Sequence, residues 1–298
     1  GAAQGEEIPV RSLSFPTPVA NVTFHPDGKT LIEYSSLGVR WINMADNTVR
    51  AEFPPGSVFN PDYSLYAIPI GTHVEIRSTA TNELQQSVES GSAGQIRFSP
   101  NGDWLAVSNP ISTITLFTLK DGKKVAQMAI ASSDILQIEF TSDSKMLFAS
   151  LHNISSYRKA SVSAWNLPSG TLVKNWAYSC EYLSWSGWPL RILPDEKKVI
   201  FGANDCKMQV VQYTDWTKVL TFPTEEGYYA ITALSTDGEI FAESFSSNKF
   251  TLFEVGTSFK SHQVSLSSRG YIDAMNFSPD NTLLSIVSGD GAQLWAVP

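Results

Sequence analysis

The stretch Phe24-His25-Pro26-Asp27-Gly28 decides the fold, because copies of it return along the whole chain. Clear copies are Phe59-Asn60-Pro61-Asp62, Phe98-Ser99-Pro100-Asn101-Gly102 and Phe277-Ser278-Pro279-Asp280, and weaker copies are Phe140-Thr141-Ser142-Asp143, Ile192-Leu193-Pro194-Asp195 and Leu234-Ser235-Thr236-Asp237-Gly238. The intervals between the Asp or Asn residues run from 35 to 52 residues, with a mean of about 42. Pro, and Asp or Asn followed by Gly, favour tight turns, so each copy predicts a turn between two strands.

Columns of large apolar residues accompany these turns. Three residues before the Asp or Asn stand Phe24, Phe59, Phe98, Phe140, Ile192, Leu234 and Phe277, and four residues after it stand Leu31, Tyr66, Leu105, Leu147, Val199, Phe241 and Leu284. A third column, ahead of a second turn, holds Ile42, Ile76, Phe117, Trp165, Tyr213, Phe253 and Trp295. A further apolar run, such as Thr171-Leu172-Val173, completes each unit. Four short strands in a meander, repeated seven times, predict an all-β, seven-bladed β-propeller with four-stranded antiparallel blades.

The two ends of the chain predict how the last blade is completed. After Asp280 there is room for only two more strands, near residues 283–287 and 293–297. The segment 10–15 alternates like a strand ahead of the first unit, so we expect it to pair in the last blade and close the ring. We expect one propeller domain over residues 10–298 and a flexible leader over residues 1–9. The start at Gly1, without Met, predicts a processed or truncated N-terminus.

The composition limits the classes of function. The chain of 298 residues has 42% hydrophobic residues, which favours a large packed core over disorder. Its 21 Lys and Arg against 29 Asp and Glu give a net charge of −8, which argues against nucleic-acid binding. No apolar run reaches the roughly 18–20 residues of a membrane span.

The turn motifs, together with Trp165 and Trp295 in third strands, make the chain resemble the WD-repeat propellers, in a divergent bacterial-type form, from Val10 to Pro298. That family typically has Asp directly after the third-strand Trp and a Gly-His pair ahead of the turn, which together form a polar network inside the blade. Here the positions after the third column hold Asn43, Arg77, Thr118, Asn166, Thr214, Glu254 and Ala296. The departure predicts blades held by packing instead. The resemblance implies a rigid platform that binds proteins or peptides, although a fold by itself does not establish a function.

Few residues point to catalysis. The four histidines fall in different units without metal-ligand spacing, and no phosphate-binding loop is present. Seven residues before the turn Asp or Asn, Asp273 is the one acid in its column, too few for a calcium site. The sequence therefore predicts a non-enzymatic protein with no cofactor and no metal. The alternative is a propeller hydrolase or lyase that uses isolated acids such as Asp273 and Glu181.

Aromatic and acidic residues concentrate in the loops of units four to seven, on the face formed by the second-to-third loops and the connections between blades. Unit four has an expanded loop over residues 151–159, and Tyr178 and Trp188 lie in the connection to unit five. The predicted binding residues are Tyr157, Tyr182, Trp185, Glu225, Glu226, Tyr228, Tyr229, Tyr271 and Asp273. These would suit a basic peptide anchor or, alternatively, a stacked sugar ring. The competing interpretation is that several rings are packed between blades. We expect a monomer.

The two cysteines are Cys180, in the connection to unit five, and Cys206, in the second-to-third loop of that unit. The predicted meander puts both on the same face, so a disulfide between them is a hypothesis that requires their Cα atoms to lie within about 7 Å. A disulfide would favour a secreted, periplasmic, cell-surface or lipid-anchored protein over a cytoplasmic one.

Overall fold

The computed structural model describes residues 9–109, 113–130, 133–153, 155–156, 159–179, 190–194, 197–202, 207–222, 230–245, 248–255, 261–266, 271–289 and 291–297. Within these residues, 28 strands form seven four-stranded antiparallel sheets, and no residue is helical. The chain is an all-β, seven-bladed β-propeller, as the sequence predicts. It divides into two compact units, residues 56–229 and residues 1–55 with 230–298.

The unit of residues 56–229 holds blades two to five, each a meander with its strands in chain order. Its strands are β6 (Val58–Phe59), β7 (Leu65–Ile70), β8 (His73–Ser78), β9 (Leu84–Glu89), β10 (Ile96–Phe98), β11 (Trp104–Ser108), β12 (Thr113–Thr118), β13 (Lys124–Ala129), β14 (Ser133–Phe140), β15 (Met146–Asn153), β16 (Lys159–Asn166), β17 (Thr171–Ser179), β18 (Arg191–Ile192), β19 (Lys198–Gly202), β20 (Met208–Gln212) and β21 (Thr217–Thr221).

The other unit holds blades one, six and seven. Its strands are β1 (Arg11–Leu13), β2 (Val19–Phe24), β3 (Thr30–Ser35), β4 (Gly38–Asn43), β5 (Val49–Phe53), β22 (Ala230–Leu234), β23 (Ile240–Phe245), β24 (Lys249–Glu254), β25 (Ser261–Ser265), β26 (Ile272–Phe277), β27 (Leu283–Ser288) and β28 (Gly291–Ala296). Blade seven has the order β1-β28-β27-β26, so the N-terminal strand supplies its missing fourth strand, which confirms the prediction.

The first two apolar columns form the core of the blades. They face each other across the first two strands in the pairs Phe24–Leu31, Phe59–Tyr66, Phe98–Leu105, Phe140–Leu147, Ile192–Val199, Leu234–Phe241 and Phe277–Leu284. Every residue of the second column is at most 1% exposed. Each such side chain contributes about 1.5–3 kcal/mol by leaving water, so this row is a main source of stability in each blade.

The third column lies opposite the second column in five blades and is offset from it in two. Blade two places Arg77 opposite Tyr66, and Ile76 lies opposite Ala67 instead. Ile76 and Ala67 belong to an apolar cluster shared with blade three, which explains why the apolar residue is one position away. In blade five Val211 takes the position opposite Val199. Tyr213 follows β20 and packs edge-on against Phe148 of blade four, with 5.4 Å between the ring centroids.

The recurring Asp residues hold the first-to-second turns. Asp280 Oδ1 accepts hydrogen bonds from the Ser278 hydroxyl (2.6 Å) and from the Thr282 N–H (3.1 Å) and hydroxyl (2.8 Å). Asp62 Oδ1 accepts from the Ser64 N–H and hydroxyl, and Asp237 Oδ1 accepts from the Ser235 hydroxyl and the Glu239 N–H. In six of the turns that the structure describes, the residue after the Asp or Asn has a φ between 58° and 78°; these residues are Gly28, Tyr63, Gly102, Ser144, Gly238 and Asn281. The motif is therefore structural.

Hydrogen bonds join neighbouring blades in addition to the predicted packing. Gln137 in blade four donates to the Leu190 carbonyl (2.9 Å) and accepts from its N–H (3.2 Å). Asn281 in blade seven donates to Asp237 in blade six (2.8 Å). These bonds connect loops and strands of different blades, a role that the sequence led us to assign to packing alone.

Candidate binding site on blade four

Blade four differs from the other blades of its unit in strand length. Its strands have 8, 8, 8 and 9 residues, whereas those of blades two, three and five have 2 to 6. Within residues 151–159, which the sequence predicts as an expanded loop, residues 151–153 end β15 and Lys159 begins β16. The predicted loop is therefore too long by four residues, because the insertion also lengthens the two strands of the hairpin, which stay paired as far as His152 and Ala160.

The ends of the long strands line an open cavity of about 490 Å³, at the end of the blade that carries the second-to-third loop. It is lined by Ser133, Asn153, Lys159, Ala160, Ser161, Asn175, Ala177, Tyr178 and Ser179. We call this cavity the blade-four pocket. Its volume lies in the range of small-ligand sites, about 300–1,000 Å³.

Strand register places the polar residues of the blade-four pocket on one face of the sheet. Lys159 lies opposite Ser179, and Ser161 lies opposite Ala177. Side chains two residues apart along a strand point to the same face, so these four residues share one face of the sheet. Leu151, the partner of Ser161 on the other side, belongs to the apolar cluster between blades three and four. The pocket is thus the polar continuation of a face that is apolar deeper in the blade.

Two side-chain amides of the pocket have fixed orientations. Asn153 Oδ1 accepts a hydrogen bond from the Ser155 N–H (2.9 Å), which forms a local turn directly after β15. Asn175 Nδ2 donates to the buried Ser163 hydroxyl (2.9 Å). These bonds hold the amides on a paired backbone, as a preorganised site requires.

The opposite face of blade four packs against blade five. Tyr178 is 4% exposed, and its ring lies 6.1 Å from that of Phe201. Burial raises the pKa of Tyr178 far above its usual range, so the phenol stays neutral. Nearby, Lys174 Nζ lies 5.8 Å from the Trp176 ring and 6.0 Å from the Trp216 ring. Tyr178, which the sequence placed in the connection to unit five, is therefore a strand residue packed between blades.

Two predicted binding residues lie in the described part of the chain. Tyr271, directly before β26, is 67% exposed. Asp273 is exposed at an irregularity in the pairing of β26 with β27, where partial burial raises the pKa of its carboxyl. The remaining predicted residues lie outside the described residues, and so do Cys180 and Cys206; the former are Tyr157, Tyr182, Trp185, Glu225, Glu226, Tyr228 and Tyr229.

The polar residues of the blade-four pocket were not predicted from the sequence. The available signal was the alternation Lys159, Ser161, Ser163 in β16 and Asn175, Ala177, Ser179 in β17. Small polar residues at every second position put polar side chains on a face that is apolar elsewhere in the blade. This pattern indicates that this part of the face is exposed to water.

Metal-binding clusters and membrane-spanning helices are two further features that would indicate a function. Among the described residues, no three His, Cys, Asp or Glu side chains come together in the way that a metal site needs. None of the described residues belongs to a helix long and apolar enough to cross a membrane.

Comparison with known proteins gives structural likeness without sequence likeness. No protein-family model matches the chain, and no curated protein matches it. A structure of hydrazine synthase from Kuenenia stuttgartiensis is 16% identical, with a TM-score of 0.75, over 100% of this chain and 99% of that one. The β-propeller domain of Cps50 (Swd1) from Myceliophteria thermophila is 12% identical, with a TM-score of 0.73, over 97% of this chain and 100% of that one.

A chain in a structure of the mitotic checkpoint complex is 13% identical, with a TM-score of 0.74, over 100% of this chain and 96% of that one. At these identities the likeness shows the fold alone. These neighbours include a synthase as well as a complex of proteins, so the shared fold accommodates both kinds of protein.

Proposed function

We propose that this chain is a non-enzymatic, WD-repeat-like scaffold that binds a protein or peptide through the loops of blades four to seven. The contact residues would be those predicted from the sequence, among them Tyr271 and Asp273. Two of the structural neighbours, a β-propeller domain and a chain of a multiprotein complex, support an interaction role. We propose that the scaffold is a monomer.

The exposure of Tyr271 is the observation that carries this proposal. It is the one aromatic side chain among the exposed large apolar residues of the described chain. A ring on a short connection ahead of a paired strand loses little conformational freedom when it is covered by a partner. Aromatic residues of this kind often supply much of the energy at protein interfaces.

Substitution of Tyr271 tests the proposal. Proteins captured from a native extract by the purified chain should be quantified by mass spectrometry for wild type and for Tyr271→Ala. We expect specific partners to fall at least about tenfold, since losing a central aromatic anchor costs about 2 kcal/mol or more. The melting temperature should be unchanged, because an exposed ring adds little to folding.

Leu84→Ala is the matched control. Leu84 is 50% exposed and starts β9 of blade two, directly after the third-to-fourth turn. It therefore lies at the end of its blade opposite to the second-to-third loop. Capture that survives Tyr271→Ala unchanged, or that falls equally with Leu84→Ala, would contradict the proposed surface.

A glycan is the second candidate ligand. The blade-four pocket is lined mainly by hydroxyl and amide groups, which are the partners that sugar hydroxyls prefer. A glycan array separates the two functions, since a carbohydrate-binding chain would retain defined oligosaccharides that a protein scaffold ignores.

A further inference from the structure

The charge of the blade-four pocket is opposite to that of the chain. The protein carries a net charge of −8, yet of the described residues that line this pocket Lys159 alone is charged. Lys159 is exposed, and it takes part in none of the ion pairs found among the described residues. The pocket therefore presents an accessible positive charge on an acidic protein.

The residues next to Lys159 in the pocket carry hydroxyl and amide groups, which can donate hydrogen bonds. Ser161 lies two residues further along the same face, and Ser179 lies opposite Lys159 on β17. Asn153 uses its Oδ1 for the Ser155 N–H, so its remaining polar group is the NH₂ donor. A pocket lined by one ammonium and by hydroxyl and amide donors matches a carboxylate, because hydrogen bonds to charged groups are stronger than those between neutral groups.

The size of the pocket favours more than a simple ion. A cavity of about 490 Å³ has room for a carboxylate together with the chain that carries it. Exposed Ala177, between Ser179 and Asn175 on β17, offers a small apolar surface for methylene groups or backbone. A Glu or Asp side chain, or a C-terminal carboxylate, on an extended peptide has these features.

We propose that the blade-four pocket binds the carboxylate of an acidic peptide segment, with Lys159 as its cation and the surrounding hydroxyl and amide groups as hydrogen-bond donors. The inference rests on the proposed scaffold function and deepens it, since it names the chemistry of one contact. The blade-four pocket would thus bind an acidic group, whereas Glu225 and Glu226 were expected to bind a basic group of the partner.

Fluorescence anisotropy with labelled octaglutamate tests the proposal at physiological ionic strength. General electrostatics repel this probe from a chain of net charge −8, so binding would report a local site. We expect octaglutamate to bind and octaglutamine not to bind. Lys159→Ala should weaken octaglutamate binding at least about tenfold, and Lys159→Arg should weaken it by less.

Lys120→Ala is the matched control, because Lys120 is an exposed lysine between β12 and β13 in a third-to-fourth turn of blade three. Equal loss with Lys120→Ala, equal binding of octaglutamine, or no binding of octaglutamate to wild type would overturn the proposal. Competition by inorganic phosphate as strong as by acetylated glutamate would overturn it as well, in favour of a small-anion site.

The two proposals fail separately. Partners that are lost with Tyr271→Ala but retained with Lys159→Ala would keep the scaffold function and remove the carboxylate site. Octaglutamate binding that depends on Lys159, in a chain whose captured partners ignore Tyr271, would do the reverse.

Discussion

Two glycines occupy equivalent positions at the start of third strands in different blades. Gly38 begins β4 with φ +152°, and Gly291 begins β28 with φ +119°. A Cβ on Gly38 would lie 2.6 Å from the Phe53 carbonyl oxygen, and one on Gly291 would lie 2.7 Å from that of Leu13. The same close approach to the outermost strand occurs whether that strand follows in sequence or comes from the N-terminus.

Gly291→Ala is expected to lower the free energy of unfolding by about 1–3 kcal/mol, because it combines a strained φ with a clash against backbone. Gly71→Ala is the control, since Gly71 also has a positive φ (+61°) but a Cβ added there would meet nothing within 4 Å. Urea unfolding of both variants measures the difference. Equal losses would mean that conformational strain alone matters and that the approach of Leu13 does not.

At the scale of the element, β1 replaces a fourth strand that the end of the chain does not supply. Residues 11–13 pair with residues 292–294 of β28. Leu13 is 8% exposed and packs in a cluster with Ala292 and Leu294 of blade seven and with Val22 and Leu31 of blade one. The N-terminal strand therefore contributes to two blades although it has only three residues.

Deletion of residues 1–15 should lower the stability by at least about 2 kcal/mol, which is the cost of losing one buried Leu. It also leaves the edge of β28 unpaired, which favours aggregation. We expect a melting temperature lower by about 4 °C or more in differential scanning calorimetry.

The matched variant lacks residues 1–8 only and keeps β1. It should melt like the full chain. A stable chain after the longer deletion would show that blade seven does not need its N-terminal strand.

At the scale of the whole molecule, the carboxylates of the turns make the free energy of unfolding depend on pH. Hydrogen bonds from the hydroxyls of Ser64, Ser235 and Ser278 lower the pKa of Asp62, Asp237 and Asp280, respectively. Lys123 and Thr118 lower the pKa of Asp121 to about 2. A carboxyl whose pKa is lower in the folded state stabilises the fold above its unfolded pKa, about 3.9, and loses that contribution as the pH falls.

We expect the urea midpoint to fall steadily between about pH 4 and pH 2, as these carboxyls are protonated. The combined variant Asp62→Asn, Asp237→Asn, Asp280→Asn keeps an acceptor in each turn but cannot titrate there, so its midpoint should fall less steeply. Burial raises the pKa of Glu33, which acts in the opposite sense because its stabilising contribution is lost as the pH rises.

A triple Gln substitution at exposed Glu83, Glu239 and Glu254 removes the same number of charges and serves as the control. It should retain the wild-type slope. Parallel curves for wild type and the Asp variant would show that the turns do not carry the acid dependence.

Local chemistry explains why the fold could be predicted from the sequence. The turn at Asp280 is held by Ser278 and Thr282, so the whole device lies within five consecutive residues and can be recognised without tertiary information. The Phe277–Leu284 pair follows from the turn length and the two-residue period of a strand. Repetition of one such unit with enough apolar residues already determines the blade, the blade count and the need for β1.

Only the tertiary structure decided which side chains are exposed and can contact a ligand. Tyr178 and Tyr271 both looked like loop aromatics, but Tyr178 is covered by Phe201 of the next blade and Tyr271 is exposed. The blade-four pocket likewise exists because β15 and β16 extend into the two ends of the expected loop, which puts Lys159 opposite Ser179. Burial and cross-strand proximity depend on residues distant in sequence, so local turn chemistry could determine the frame but not the surface that it presents.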